Sequence, residues 1–284
     1  MTNAIKSLSL FLLILGVVLS IGACGEESLP YEDIQEVPIP SANRPPLPET
    51  ETETESTPES NTETQPTPPD ENENESESET TPEEETPTYQ VGYYTLSDED
   101  SLLYAQVWKD PDTLLASFAH DHVLRAAEWT GTIVYNPGDL SQCSITFSLP
   151  VEELHNDEQA MRDFVGLSGS VSDSDRVEIH ENMLSGDQLN ESSFPTIEFA
   201  STSCSGAGGL SGEMQVTGGL TVRGVTKSFT IPVDFLVAEG QIYATGVFEF
   251  THSDFSFSPY SAFAGAVKNS QRLKMAFDVV GNSN

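Results

Sequence analysis

Positive charge is scarce in this sequence. Its 284 residues contain 11 lysines and arginines against 46 aspartates and glutamates, which gives a net charge of −35 at pH 7. Residues 89–284 alone keep 26 acidic and nine basic side chains. Such a chain repels the phosphates of a nucleic acid and the head groups of an anionic lipid surface. The charge therefore argues against nucleic acid as a partner and against adsorption to an anionic membrane.

Long apolar runs are equally rare, and the one that occurs covers residues 8–19, after Lys6. It is too short for a stable membrane-spanning helix and has the features of a signal-peptide core. The sequence Ile21-Gly22-Ala23-Cys24 follows it and resembles a bacterial lipobox. We therefore predict a signal peptide over residues 1–23 and lipidation of Cys24. An ordinary cleaved signal, with Cys24 incidental, is the alternative.

A lipidated Cys24 would anchor the chain stably in a membrane, because several acyl chains hold where one chain alone holds only marginally. The predicted location is the bacterial cell envelope, with the exported domain in the periplasm or at the cell surface. Gly25, rather than an aspartate, follows the cysteine. By resemblance to enterobacterial sorting, this residue favours the outer membrane.

Residues 24–90 lack the apolar side chains that a folded core needs. Residues 26–88 hold 20 acidic residues and one basic residue, Arg44. A segment of this composition buries too little apolar surface to offset the entropy of ordering, so we expect disorder. A flexible coil of this length spans roughly 45 Å. We predict a lipid-anchored acidic linker, with a binding role for the acidic run as the alternative.

Cysteine is limited to three residues, and Cys24 belongs to the predicted anchor. Cys143 and Cys204 remain as an even pair in an exported protein, where oxidation is permitted. The alternation of the flanking residues places Cys143 on the inner face of its strand and Cys204 on the outer face of its own. A disulfide would therefore need a strand end or a bulge to bring the two together. The sequence alone does not decide whether this disulfide forms.

Strict alternation of apolar and polar residues recurs after residue 126. In CSITFSL, for example, Ile145, Phe147 and Leu149 alternate with serine and threonine. Period two with one apolar face is typical of antiparallel strands around a shared interior. Eight or nine such strands form either a sandwich or a closed barrel. Between them, a short helix is expected to end at Met183, with Asp173 or Ser174 as its cap.

Several segments, in their order along the chain, resemble the YceI-like family of exported bacterial proteins. They are SFAHDHVLRAAEWTGTIVYNP, SSFPTIEFAST, GGLTVRGVTKSFTIPV and SDFSFSPYSAFAGAVKNSQRLKMAFDVV. The resemblance covers nearly all of the predicted domain, residues 91–282. It implies an all-β, lipocalin-like antiparallel barrel with one or two short helices and an elongated apolar channel. It also implies a bound polyisoprenoid or a similar long-chain amphiphile, and it allows a homodimer.

The candidate ligand-binding residues are the bulky inward-facing side chains and the histidines near the predicted channel mouth. They are Phe118, His120, His122, Trp129, Ile133, Phe147, Phe199, Phe229, Phe235, Phe248, Phe250 and Phe277. Small residues in the same phase, among them Gly218, Ala244 and Gly246, are expected to leave space beside the rings. The alternative is an ordinary core that the rings fill completely.

The stretch SFAHDHVLRA places His120 and His122 on either side of an aspartate. Two histidines two residues apart point the same way on an extended segment, and with His252 they are weak candidates for a metal site. No Cys₂ or HExxH spacing supports that site. No nucleophile motif and no phosphate-binding glycine loop is present, so we predict neither an enzyme nor a cofactor. The preferred role of the histidines is hydrogen bonding near the mouth, where Arg125 and a loop with Tyr260 and Phe263 are also expected.

The sequence thus favours a membrane-tethered binding protein for a long-chain lipid or quinone-like ligand. Two alternatives come from other classes. One is a metal-dependent oxidoreductase that uses the His120/His122 pair, and the other is a ligand-free structural or partner-binding module on a stalk.

Overall fold

The computed structural model describes residues 89–206 and 208–284, so the predicted signal peptide, Cys24 and the acidic linker lie outside the described residues. The strands are β1 (Gly92–Lys109), β2 (His122–Ala126), β3 (Thr130–Tyr135), β4 (Ser144–Pro150), β5 (Leu154–Asn156), β6 (Thr196–Gly206), β7 (Ser211–Val222), β8 (Val225–Ala238), β9 (Gln241–Thr251), β10 (Ser261–Ala262) and β11 (Val267–Ser283). The helices are α1 (Gln159–Phe164) and α2 (Asp173–Leu184). In this part of the chain, no helix has both the length and the apolar composition that crossing a bilayer requires.

Eight strands close into an antiparallel barrel. Their order is β1, β3, β4, β6, β7, β8, β9 and β11, and β11 pairs back with β1. The closing ladder is long and runs from the pair Tyr94–Ser283 to the pair Lys109–Asn269. The predicted all-β, lipocalin-like barrel is therefore confirmed, and the sandwich that the alternation also allowed is not formed.

Strand β1 takes part in two ladders on one edge. Residues Gly92–Thr95 pair with β3, whereas residues Tyr104–Val107 pair with β2, which in turn pairs with β5. On the other edge, the register against β11 shifts between Ser97 and Leu102. The segments YQVGYYTLS and SLLYAQVW predict two separate strands here, with no clear phase. The irregular register explains why their phase was uncertain, because a bulge changes which face each following side chain occupies.

The strand alternation sorts side chains as predicted. Ile133 and Ile145 are directly paired on β3 and β4, and both line the barrel interior. On the outer face of the same ladder, the hydroxyl oxygens of Thr132 and Thr146 are 2.8 Å apart. Threonines hydrogen-bond one another across neighbouring outer positions, while aliphatic and aromatic side chains fill the inner ones.

Helix α2 lies across one end of the barrel. Its N-cap is Ser172, whose hydroxyl accepts a hydrogen bond from the Asp175 backbone N–H at 3.2 Å. The predicted helix is present, but the predicted cap was one or two residues too late, because Asp173 is already helical. We call the end of the barrel formed by residues 109–122, 150–195 and 252–266 the mouth.

The structure joins Cys143 to Cys204 by a disulfide, with 5.9 Å between the Cα atoms. Cys143 stands just before the start of β4, and β6 has a register shift between Ser201 and Ser203. This bulge adds one residue to β6 and turns Cys204 from the outer to the inner face, where it packs against the core. The placement of Cys204 on the outer face was therefore wrong. The disulfide lies at the end of the barrel opposite the mouth.

Candidate functional site: two cavities along the barrel

The barrel encloses a cavity of about 110 Å³, which we call the inner cavity. Every side chain that lines it is apolar. The lining residues are Leu96, Leu103, Ile133, Ile145, Phe147, Phe199, Val216, Leu220, Ile231, Val233, Ala244, Phe248, Met275, Phe277 and Val279. They come from all eight barrel strands, so the cavity is a product of closure and not of any local motif. With no polar partner on its wall, a water molecule would be poorly held there.

Two phenylalanine rings pack against glycines of the barrel wall. A Cβ atom at Gly218 would stand 2.4 Å from the Phe199 ring, and one at Gly246 would stand 2.5 Å from the Phe277 ring. The expectation that these glycines leave empty space beside the rings was therefore wrong, because the rings themselves occupy that space. Because the rings lie along the wall, they leave the centre of the barrel open.

Five of the predicted ligand-binding residues line the inner cavity. They are Ile133, Phe147, Phe199, Phe248 and Phe277. Four others are packed into the wall instead. Trp129 contacts Phe147, Phe235 contacts Tyr135, and Phe229 and Phe250 belong to an aromatic cluster with Phe255 next to the mouth.

A second cavity of about 270 Å³, the outer cavity, lies at the mouth. It is lined by Val107, His122, Leu124, Asp175, Glu178, Ile179, Asn182, Met183, Gln188, Leu189, His252, Phe257, Tyr260, Asn269 and Leu273. Leu124, Met183 and Leu189 also pack against the residues that surround the inner cavity. These three side chains therefore separate the apolar inner cavity from a more polar outer one.

His122 is held at the mouth by a buried ion pair. Its Nδ1 lies 2.6 Å from Asp157 Oδ2, while Asp157 Oδ1 accepts a hydrogen bond of 2.9 Å from Arg162 Nη1. Asp157 and Arg162 are only 2% and 1% exposed. Burial opposes ionisation of Asp157, but the hydrogen bonds and charges of His122 and Arg162 outweigh it and hold the pKa of this carboxyl below its usual value.

Arg162 connects this ion pair to two loops. Its guanidinium donates to the backbone carbonyl oxygens of Asp121 at 3.0 Å and of Ser168 at 2.8 Å. The side chain of Asp121 in turn accepts a hydrogen bond of 2.8 Å from the Lys109 backbone N–H. The aspartate between the two histidines is therefore a structural residue that joins the end of β1 to the start of β2.

His252 is the second histidine of the outer cavity. Its Nδ1 donates to the carbonyl oxygen of Gln271 at 3.0 Å, and its ring packs edge-on against Phe257. This bond leaves Nε2 as the ring acceptor. Burial lowers the pKa of His252, and the charge of Lys268 lowers it further, although the bond to Gln271 acts in the opposite direction.

The lowered pKa of His252 predicts a stability that depends on pH. In the unfolded chain the group titrates near pH 6.5, so the unfolded state binds more protons than the folded state below that value. The contribution of His252 is therefore complete above about pH 7 and is lost as the pH falls through its folded pKa. We expect His252→Gln to reduce the fall in unfolding free energy between about pH 7 and pH 5, measured by urea titration. His180→Gln, on α2, is the control, and an unchanged pH dependence in His252→Gln would show that this group is not the cause.

Two predicted site residues lie apart from both cavities. Phe118 is 53% exposed, and His120 is exposed on the same loop before β2. His122 and His252 reach the outer cavity, but their Nδ1 atoms are engaged by Asp157 and Gln271. The described residues contain no group of three or more His, Cys, Asp or Glu side chains that could hold a metal ion. His120, His122 and His252 are thus not assembled as the metal alternative requires.

Arg125, another residue expected at the mouth, pairs there with Glu158 and lines neither cavity. Its Nε and Nη2 atoms donate to the two carboxylate oxygens at 2.6 and 2.9 Å. The expected loop lies at the mouth, where Tyr260 lines the outer cavity and Phe263 is 55% exposed.

Sequence reasoning missed three groups of lining residues. Leu96 and Leu103 lie on either side of the irregular register in β1, which concealed their inward phase. Ile179 and Met183 lie on α2, a mainly polar helix with no buried residue to reveal its inner face. The alternation places Val216, Ile231 and Met275 on the inner faces of their strands, but the predicted ligand-binding residues were mostly aromatic and did not include them. For these three residues the alternation itself was a sufficient signal.

A comparison with protein-family models matches residues 109–280 to the YceI-like domain. This match spans more than half of the chain and seven of the eight barrel strands, because it begins at Lys109, the last residue of β1. The chain belongs to the YceI-like family. The resemblance seen in the sequence is thereby confirmed. A curated relative, a UPF0312 protein of Shewanella denitrificans, is 37% identical in an alignment of 98 residues that covers 32% of this chain and 50% of the relative. The chain thus spans half the length of that relative.

Solved structures of similar proteins include BcnA of Burkholderia cenocepacia, at 16% identity and a TM-score of 0.47, covering 65% of this chain and 98% of that one. A polyisoprenoid binding domain of Saccharophagus degradans, implicated in plant cell wall breakdown, matches at 10% identity and a TM-score of 0.44, covering 69% and 100%. The YceI protein of Campylobacter jejuni matches at 12% identity and a TM-score of 0.38, covering 55% and 81%.

Proposed function

We propose that this YceI-like protein binds a long-chain isoprenoid or a similar amphiphilic lipid inside its barrel. The observation that carries this proposal is the inner cavity, which is enclosed by apolar side chains alone. An apolar chain needs no hydrogen bonds, and its burial contributes about 0.8 kcal/mol per CH₂. The same wall would leave a polar or charged ligand without partners. Polyisoprenoid is also the ligand class in the description of the Saccharophagus protein.

The size of the inner cavity limits how much of such a ligand it holds at rest. An apolar cavity of about 150 Å³ binds one benzene molecule, so the inner cavity, at about 110 Å³, accepts a short apolar segment. A longer chain must extend into the outer cavity or displace the rings of Phe147 and Phe248. Movement of the separating residues Leu124, Met183 and Leu189 would join the two cavities into one channel.

The polar end of the ligand would lie in the outer cavity. There the imidazole rings of His122 and His252 and the amides of Gln188 and Asn269 can hydrogen-bond an alcohol or a quinone-like carbonyl. Binding rather than catalysis is the function that this arrangement supports, because the histidines are held by Asp157 and Gln271 with no nucleophile between them. No cofactor beyond the bound lipid is part of the proposal.

The remaining features concern residues outside the described part of the chain. We propose that Cys24 carries a lipid anchor and that residues 24–90 tether the barrel to the cell envelope, with the outer membrane favoured. The domain would then lie in the periplasm or at the cell surface, within reach of lipids that have no stable place in water. A homodimer stays a prediction.

Native mass spectrometry of the chain from Gly25, which lacks the predicted signal peptide and lipid anchor and is purified without detergent from bacterial cells, tests the proposal. We expect a population that is heavier than the protein by the mass of an apolar lipid and that loses this mass after extraction with organic solvent. A bare protein with no extractable lipid would favour the structural module instead. Stoichiometric metal that disappears in His122→Ala would favour the oxidoreductase alternative.

A further inference from the structure

Besides Tyr260, which lines the outer cavity, three large apolar side chains are exposed on two neighbouring loops at the mouth. Leu114 is 88% exposed and Phe118 is 53% exposed, both between β1 and β2, while Phe263 is 55% exposed between β10 and β11. The Leu115 N–H donates to the Ala266 carbonyl at 2.8 Å, so the two loops lie side by side. Elsewhere in the described chain, the exposed large apolar residues Tyr93, Val177 and Leu210 lie on separate elements.

These loops border the outer cavity directly. The first loop joins Val107 to His122, and both of these residues line that cavity. The second loop follows Tyr260, another lining residue, whose carbonyl accepts a hydrogen bond of 3.0 Å from the Asn269 N–H. The exposed side chains therefore stand beside the opening through which a ligand would enter.

We propose that residues 110–118 and 260–266, the docking loops, insert Leu114, Phe118 and Phe263 into the surface of a lipid bilayer. This contact would hold the mouth against the membrane, so that an apolar ligand could pass between bilayer and barrel without crossing water. The inference concerns a surface outside both cavities. The use of such docking for ligand transfer rests on the proposed lipid-binding function, whereas the membrane contact itself does not.

The size of the patch favours a bilayer over a protein partner. A stable protein interface buries about 800 Å² on each side, which three side chains on two narrow loops do not supply. Peripheral membrane proteins, by contrast, attach by burying a few apolar side chains at the boundary between head groups and acyl chains. Leu114 has the exposure expected of such an insertion point, because it stands on a turn with little protein around it.

The charges near the docking loops indicate which lipids suit them. Lys109 and Lys268 are offset by Asp110 and Asp112, so the loops bring little net charge to a membrane. Helix α2, across the mouth, exposes Asp175 and other acidic side chains and would be repelled by anionic head groups. The docking surface therefore fits an uncharged, zwitterionic bilayer.

Vesicle flotation tests this proposal. The chain used begins at Gly25, so that neither the predicted signal peptide nor a lipid anchor contributes, and the vesicles are phosphatidylcholine. We expect the parent to bind, and we expect Leu114→Ser/Phe118→Ser/Phe263→Ser to lower its partition at least about 30-fold, since each removed side chain takes apolar area out of the membrane. The control Tyr93→Ser/Leu210→Ser removes exposed apolar side chains outside the mouth and is expected to change the partition less than about two-fold.

The other outcomes are decisive as well. No binding of the parent, equal losses in the docking-loop variant and the control, or binding only to phosphatidylglycerol vesicles would overturn the proposal. A change of oligomeric state in the docking-loop variant alone would assign the patch to a second copy of this chain and would also overturn it. The lipid mass carried by the barrel reports separately on the proposed function, because none of the three residues lines either cavity.

Discussion

Replacement of Asp157 by asparagine is expected to lower the free energy of unfolding by about 3–5 kcal/mol, because it leaves the Arg162 guanidinium buried without a countercharge. The ion pair is closed to solvent, with side-chain exposures of 1% for Arg162 and 0% for Asp157. Asparagine is the suitable replacement, since Asp157 has a φ of 49° and asparagine tolerates this left-handed conformation. The effect is therefore one of charge, with the shape and the backbone preserved.

The same variant changes how stability depends on pH. The folded pKa of Asp157 lies below its unfolded value near 3.9, so its contribution is complete above that value and is lost as the pH falls through the folded pKa. Urea titrations between about pH 3 and pH 7 should show a steeper acid loss in the parent than in Asp157→Asn. Asp163→Asn, an exposed position on α1, is the control. A loss below about 1 kcal/mol in Asp157→Asn at neutral pH would contradict a buried charge pair.

The strand faces could be predicted from the sequence, but the closure of the barrel could not. The period-two alternation of Ile145, Phe147 and Leu149 with polar residues indicates their inner face. This alternation is a local property of the sequence. Closure depends on the ladder between β1 and β11, which pairs Tyr104 with Ala276 across most of the domain. Alternation is the same in a sandwich and in a barrel, so only the family resemblance favoured the barrel before the structure did.

Departures from regular alternation limited the prediction of the site. The bulge of β6 reversed the face of Cys204, and the irregular register of β1 hid Leu96 and Leu103. A bulge arises from the packing of neighbouring strands and leaves no fixed sequence pattern. The sequence did not indicate which residues His122 contacts, because Asp157 and Arg162 lie in a polar segment, where buried side chains are uncommon. The role of the aspartate between the two histidines also became clear only in three dimensions, where Asp121 bonds the Lys109 backbone N–H.

Filling the inner cavity with a side chain is expected to abolish ligand binding. Ala244 lines the cavity from β9, and a phenylalanine ring there is comparable in volume to the space it would enter. Because the ring takes the place of the ligand, we expect Ala244→Phe to weaken binding at least about 100-fold, while overpacking costs about 1–3 kcal/mol of stability. Ala244→Leu, a smaller addition, covers the case in which the phenylalanine variant does not fold. Ala200→Phe is the matched control, since it makes the same change on the outer face of β6.

Titration of geranylgeraniol into these variants, followed by native mass spectrometry, measures directly whether the barrel interior is where the lipid resides. The parent and Ala200→Phe should form the complex alike, whereas Ala244→Phe and Ala244→Leu should lose it in the order of the volume they add. Equal binding by all four proteins would mean that the lipid lies outside the barrel and that the apolar cavity is not a binding site.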